Sequence, residues 1–304
     1  MNVLLITSSI ELGLLYSLMT LGLFISYRIL DIPDLTVDSS FTLGAAVSAV
    51  MATMGYPLWG IILGALAGAC AGIVTATLQT KLKVQPILAG ILTMTALYSI
   101  NIMVMGGKPN LPLLNIDTIF SKGKAVLQTQ YTPMILGIVI VLLIMISLAL
   151  FLSTPLGLSI RATGDNEDMV RSSSVNVDFT KTVGLSVANA LVGTSGALIA
   201  QYQSFADVSM GVGMVVIGIA SLIIGEVFFG RKSVLLNIIA AILGSIIYRF
   251  IISFALELNI SASSMKLVSA IIVTIAISYP TIKKAIKLQK QIRQMKRGAD
   301  HVNN

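Results

Sequence analysis

Few residues in this chain could do covalent chemistry, and their placement argues against it. Gly225, Gly230, Arg231, Lys232 and Ser233 nearly spell the phosphate-binding loop G-x-x-x-x-G-K-[ST], but Arg231 stands where the lysine should and Lys232 is one place late. That loop also needs a strand before it and a helix after it, in water. Here it closes an apolar run, so it reads as a basic turn. Cys70, inside another apolar run, is the one cysteine, which excludes an intrachain disulfide and a cysteine-rich metal site, and it is expected to be a small buried residue. His301 lies in a basic tail far from any second ligand. What remains is a short set of charges inside apolar segments: Glu11, Glu226 and Arg249. Arg249 is expected to pair with Glu257 or to reach outward, and Glu226 to pair with Arg231 or Lys232 one turn on. None forms a buried titratable relay, so proton-coupled transport by this chain alone is not expected.

The elements that position these residues are set by composition. Of 304 residues, 56% are hydrophobic and 11% charged, against about 25% charged in a typical soluble domain. So few charges cannot cover a water-soluble globule, and the solvent for most of the chain is lipid. Soluble enzymes, nucleic-acid binders and disordered scaffolds are excluded. Nine apolar segments reach or approach the roughly 20 residues that a bilayer crossing requires: 3–27, 39–54, 57–80, 86–105, 133–153, 179–202, 210–229, 233–255 and 264–282. The segment 39–54 is short, carries Gly44, and is expected to be tilted or broken. The class is all-α and polytopic, with eight or nine crossings in one domain over 1–282. A basic tail follows over 283–304.

Lys and Arg next to crossings stay cytoplasmic. With the N-terminus outside, Arg28, Lys81, Lys83, Arg161, Arg171, Lys181, Arg231, Lys232 and the basic residues of the tail fall inside. Only Lys108, Lys122, Lys124 and Lys266 fall outside. This fixes the expected orientation, with the C-terminus cytoplasmic. It also explains the net charge of +7 as attraction to anionic lipid rather than to nucleic acid.

Two stretches are similar. DLTVDSSFTLGAAVSAVM begins at Asp34 and DVSMGVGMVVIGIASLII at Asp207. Each runs from an aspartate through a polar or glycine patch into an apolar segment with a central glycine, Gly44 or Gly218. A turn glycine follows (Gly55, Gly230), then a helix with Gly68 or Gly244. Five crossings separate the copies, so they face opposite ways, a design recurrent among transporters. Small and hydroxyl residues of these segments are the expected pathway: Ser39, Ser40, Thr42, Gly44, Ser48, Gly211, Gly213, Gly218 and Ser221. Such residues let backbones approach and expose carbonyls; helix packing explains them equally well.

Polar residues gather once between crossings, over 154–178. Pro155 and Gly157 end the fifth helix, and Asp165, Asn166, Glu167 and Asp168 cap and open a short helix with Met169, Val170 and Ser173 on a weakly apolar face. Such a helix can dock on a partner or simply connect two crossings. The run Gly157 to Asn166, with Val175, Asn176 and Val177 after it, resembles the cytoplasmic loop of permeases from ATP-binding-cassette (ABC) importers of the branched-chain amino acid, ribose and nucleoside type. The resemblance extends through Asp34–Met51 and Gly211–Gly225, and is strongest to the smaller permeases for tryptophan or tyrosine. Ser172, Ser173 and Ser174 depart from the family, which often has alanine and glycine there. The resemblance implies a permease dimer enclosing one pathway, an ATPase dimer below and an extracytoplasmic binding protein above. It makes Arg161, Gly164, Asp165, Asn166, Glu167, Asp168, Arg171 and Asn176 the coupling residues. It implies no cofactor in the permease, since the partner binds ATP, and a location in the bacterial plasma membrane. The rival readings are a sodium-coupled carrier and a membrane scaffold without a solute.

Overall fold

The computed structural model describes residues 3–230, 233–258, 264, 267–275 and 278. Arg231, Lys232, Lys266, the tail 283–304 and most of the segment 264–282 beyond 267–275 lie outside the described residues. The described residues are helical nearly throughout. In order come α1 (Val3–Leu23), continued by a π-helical segment (Phe24–Ile29), α2 (Thr36–Thr53), α3 (Pro57–Thr80) and α4 (Pro86–Val104). Strand β1 (Asn110–Pro112), α5 (Ile119–Leu127), α6 (Thr132–Ser153), α7 (Pro155–Asp165) and α8 (Glu167–Ser172) follow. Last are α9 (Val177–Gln203), β2 (Phe205–Asp207), α10 (Met214–Phe229) and α11 (Val234–Glu257). Proline occupies the first turn of α3, α4, α6 and α7, where its missing N–H costs nothing and its fixed φ suits the helix. Pro155 therefore opens a helix rather than merely ending one.

Among the described residues, six helices are long and apolar enough to cross a membrane: Leu5–Ile29, Pro57–Thr80, Pro86–Val104, Thr132–Ser153, Val177–Gln203 and Val234–Glu257. Helix α10 is apolar but shorter. Helix α2 is an unbroken 18-residue helix rather than a broken crossing, beginning three residues earlier than its apolar pattern implies. Its serines, threonines and Asp38 lower its hydropathy, and it is enclosed by protein instead of lipid: Phe41, Ala45, Ala46 and Ala49 are fully buried. Helices α1 and α9 form the centre. Helices α4 and α6 form the rim, with Leu143 and Leu150 62% and 66% exposed, as lipid-facing positions should be. Cys70 is exposed, correcting the expectation of burial; it lies on the outer wall of α3, facing an apolar groove toward α4.

Glycine sets the spacing of the core. A Cβ at Gly44 would lie 2.0 Å from the Gly193 carbonyl oxygen, and one at Gly68 2.2 Å from that of Asn189. Only glycine allows α2 and α3 to lie so close to α9.

The two related stretches supply the second helices of two three-helix units, α1–α2–α3 and α9–α10–α11, which exchange their first helices. Helix α1 packs on α11, where Gly13 meets Ile246 and Ser9 donates to Ser253 at 2.7 Å. Helix α9 packs on α3, where Gly72 meets Leu185. Contacts of Leu15 with Ser195 and of Gly22 with Ala188 make α1 and α9 antiparallel. The repeated aspartates also share a local role. Asp34 accepts the N–H of Thr36 at 2.9 Å, and Asp207 that of Ser209 at 2.8 Å.

The polar stretch 106–132 is not a continuous helix, as Pro109 and Pro112 required. It contributes β1, which pairs antiparallel with β2, and α5, which Thr118 opens with a capping box. Asn110 donates to Asp207 at 3.1 Å across the ribbon. Burial pulls the Asp207 carboxyl upward, but the bonds from Ser209 and Asn110 outweigh it and hold the group below its ordinary range. A depressed carboxylate stabilises above its unfolded pKa, and that stabilisation is lost as pH falls through the folded value. Protection of the Leu113 and Val208 amides, which donate to Ser204 and Pro109 at 2.8 and 2.9 Å, is therefore expected to fall on acidification in the wild type when measured against intrinsic exchange, and to be low at all pH values in Asp207→Ala.

Candidate functional site: a cleft between opposed helix starts

Helix α10 begins in mid-structure, and its free amides need acceptors. Asp38, in the first turn of α2, supplies them. Its Oδ2 accepts from Gly213 N at 2.9 Å and its Oδ1 from Val215 N at 2.8 Å. The Thr42 hydroxyl accepts from Gly211 N at 3.1 Å. One carboxylate thus lies at the start of two helices, where both dipoles favour negative charge. A Cβ on Gly211 would fall 1.7 Å from the Asp38 carbonyl oxygen, so the approach is open to glycine alone. Gly213 enters α10 with φ +87°, a conformation that glycine adopts at little cost.

Beside this junction is a cleft of about 380 Å³. Asp38, Ser39 and Thr42 form one wall, Thr95, Tyr98 and Ser99 of α4 another, and Val208, Gly211 and Val212 the third. Ser39 donates to the Met94 carbonyl at 3.0 Å, and Asn101 to that of Ser39 at 3.3 Å, which fixes α4 against α2. Deeper in the core, Asp34 Oδ2 accepts from Asn189 at 2.7 Å, and Thr36 meets Thr75 at 2.7 Å. The cleft offers hydroxyls, backbone and a carboxylate already bound to amides, with no nucleophile beside a base. It suits passage or binding rather than bond-making.

Of the residues expected to form the pathway, Ser39, Thr42 and Gly211 line this cleft and Gly213 adjoins it. The others lie in helix contacts. Ser40 is fully buried, Gly44 meets Gly193, and Ser48 donates to Ala197 and accepts from Gln201. Gly218 packs on Leu23, and the Ser221 carbonyl meets Gly244. Sequence reasoning missed Asp38, Thr95, Tyr98 and Ser99. Asp38 was a legible signal, an acid ahead of an apolar run, lost by starting the helix at 39.

The segment 154–178 forms two helices rather than one. Thr154 caps α7, accepting from Gly157 N at 3.2 Å, and Asn166 caps α8, accepting from Met169 N at 3.0 Å. Glu167 and Asp168 fill the first turn of α8 and Arg171 the last, each matching the dipole. Asp165, Asn166, Glu167, Asp168 and Arg171 are exposed, Arg161 is half-buried, and Asn176 caps α9. Val170 is buried and Met169 is 58% exposed, so α8 anchors by one and presents the other. Glu167 pairs with Lys181. At Gly164 a Cβ would lie 1.8 Å from the Ile29 carbonyl oxygen, so the end of α7 rests directly on the π-helical segment.

That segment carries Arg28, whose guanidinium pairs with Glu226 of α10 through two hydrogen bonds. Glu226 thus has a partner 198 residues away, besides any close to it in sequence. Arg249 does not pair with Glu257; its guanidinium lies over the Tyr16 ring, 3.6 Å from the centroid, a cation–π contact that keeps a charge tolerable away from water. Neither partner is readable from spacing, since both contacts depend on the exchange of helices.

An all-helical membrane bundle with paired repeats and a polar cleft where two helix starts meet is the architecture of a transport permease. Comparison agrees: residues 5–278 match the model of the family described as the branched-chain amino acid transport system permease component. The chain is similar to a tyrosine transport system permease protein of Clostridioides difficile, 39% identical over 88% of each chain. It is also similar to the Rickettsia prowazekii protein RP368 (33%, over 91% of this chain and 98% of the relative) and to the ribose import permease of Haemophilus influenzae (27%, over 80% and 75%). No solved structure matches. The chain belongs to this permease family of ABC importers. It is a multi-pass membrane subunit and not itself an enzyme; such importers work with a separate ATPase and a binding protein.

Proposed function

We propose that this permease forms the pathway for an aromatic amino acid, delivered by an extracytoplasmic binding protein and driven by an ATPase dimer beneath a pair of identical permeases. The observation that carries the reading is the identity with the tyrosine permease over most of both chains. The N-terminus is outside and the C-terminus cytoplasmic, which puts α7 and α8 on the ATPase side. The pathway runs along the cleft past Ser39, Thr42 and Gly211, while Ser40, Gly44, Ser48, Gly213, Gly218 and Ser221 hold its walls.

A contiguous set of contacts supports a mechanism. The ATPase grips α8 through Asp165, Asn166, Glu167, Asp168 and Arg171, with Arg161, Gly164 and Asn176 setting the frame. Displacement of α7 is passed to the π-helical segment at Gly164, and from there to α10 through Arg28 and Glu226. The far end of α10 is held by Asp38 at the cleft, so a push at the α7–α8 end shifts one wall of the cleft against another. The permease contributes the duct and the lever, and its partner the hydrolysis.

Uptake into proteoliposomes holding the permease, its ATPase and its receptor tests the cargo. Labelled tyrosine or tryptophan is expected to accumulate with ATP, and leucine and ribose are not. Accumulation of ribose instead would replace the cargo, and uptake that needs sodium but no ATPase would replace the class.

A further inference from the structure

At the opposite end of the bundle from α7 and α8 is a second polar cavity, of about 560 Å³, lying between α1, the end of α9 and the start of α6. Glu11 is 8% exposed and lines it, with Tyr202, Tyr131, Gln130, Ser8 and Thr7. Glu11 Oε2 accepts from the Tyr202 hydroxyl at 2.7 Å. Phe120 of α5 meets the Tyr202 ring edge-on, 5.6 Å between centroids, and fixes its plane. Among the described residues no ion pair joins Glu11 to a cation. A carboxylate so deeply placed is costly unless a positive group joins it. Two tyrosine rings beside one carboxylate are the surroundings that hold an organic ammonium, by charge-assisted hydrogen bonds and by the negative faces of the rings.

We propose that this cavity binds a primary ammonium group, with Glu11 as the counter-ion and Tyr202 positioning it. The group can come from a small soluble amine or from the ethanolamine headgroup of a lipid, since the site lies at helix ends where tyrosines mark the membrane surface. The site does not depend on the pathway cargo being aromatic.

Titration of the full-length permease in phosphatidylglycerol nanodiscs with tyramine tests it, with N-acetyltyramine as the uncharged control. Tyramine is expected to bind and N-acetyltyramine not to. Glu11→Gln is expected to weaken tyramine by about tenfold or more, the loss of one charge-assisted contact. Tyr202→Phe, which keeps the cavity and the fold, is expected to weaken it less. Adding phosphatidylethanolamine distinguishes the sources: a lower apparent tyramine affinity assigns the lipid headgroup, and an unchanged one the soluble amine. The proposal is overturned if tyramine does not bind, if Glu11→Gln binds it as well as the wild type, or if sodium displaces it as readily as ethylamine does.

Discussion

Asp38→Ala is expected to destabilise the permease by about 1–3 kcal/mol, because it strands two half-buried backbone amides at the start of a helix. Asp38 alone satisfies Gly213 and Val215, at 2.9 and 2.8 Å. Thermal unfolding in detergent should show a much lower midpoint, and protease should cut first within 208–214. Asp38→Asn retains one acceptor and should fall between the wild type and alanine. A variant as stable as the wild type would mean that the carboxylate does not hold the two helix starts together.

The second large effect is expected at Gly164. Its Cβ position lies 1.8 Å from the Ile29 carbonyl oxygen, so Gly164→Leu must push α7 off the π-helical segment. The bulk of the bundle does not depend on that contact, and the protein should still insert and bind its ATPase. Transported solute per ATP hydrolysed should nevertheless fall by about tenfold or more, the size of effect that a lost positioning contact of about 1.4 kcal/mol or more brings. Glu226→Gln, which removes the charge that Arg28 grips but keeps its shape, should lower the same ratio without altering ATPase binding. Normal coupling in both variants would break the proposed route from α7 to α10.

Much of this fold was legible in the sequence because lipid imposes a length and a composition. Residues 57–80 and 133–153 read as crossings from their apolar runs, and the structure places α3 and α6 there. The repeat starting at Asp34 and Asp207 was readable too, since its glycines mark where backbones touch. What escaped was whatever a central helix does to its own pattern. Helix α2 is enclosed by α3, α4 and α9, so it tolerates Asp38, Ser39 and Ser40, and its polar start reads as a loop. The pairing of Arg28 with Glu226, and the stacking of Arg249 on Tyr16, arise because α1 packs on α11 and the π-helical segment reaches α10. No local spacing encodes such an exchange. In the polar segment the caps were legible at Asn166, whereas α7 was hidden because Pro155 both stops one helix and starts the next.

The central claim is that force enters at α7 and α8 and moves the cleft. Its most direct test is the joint replacement of Asp165, Asn166 and Arg171 by alanine in the reconstituted importer, with ATP hydrolysis and labelled uptake read from the same vesicles. The account predicts a folded, inserted permease whose partner hydrolyses ATP while uptake is lost. Uptake per ATP equal to the wild type would contradict it.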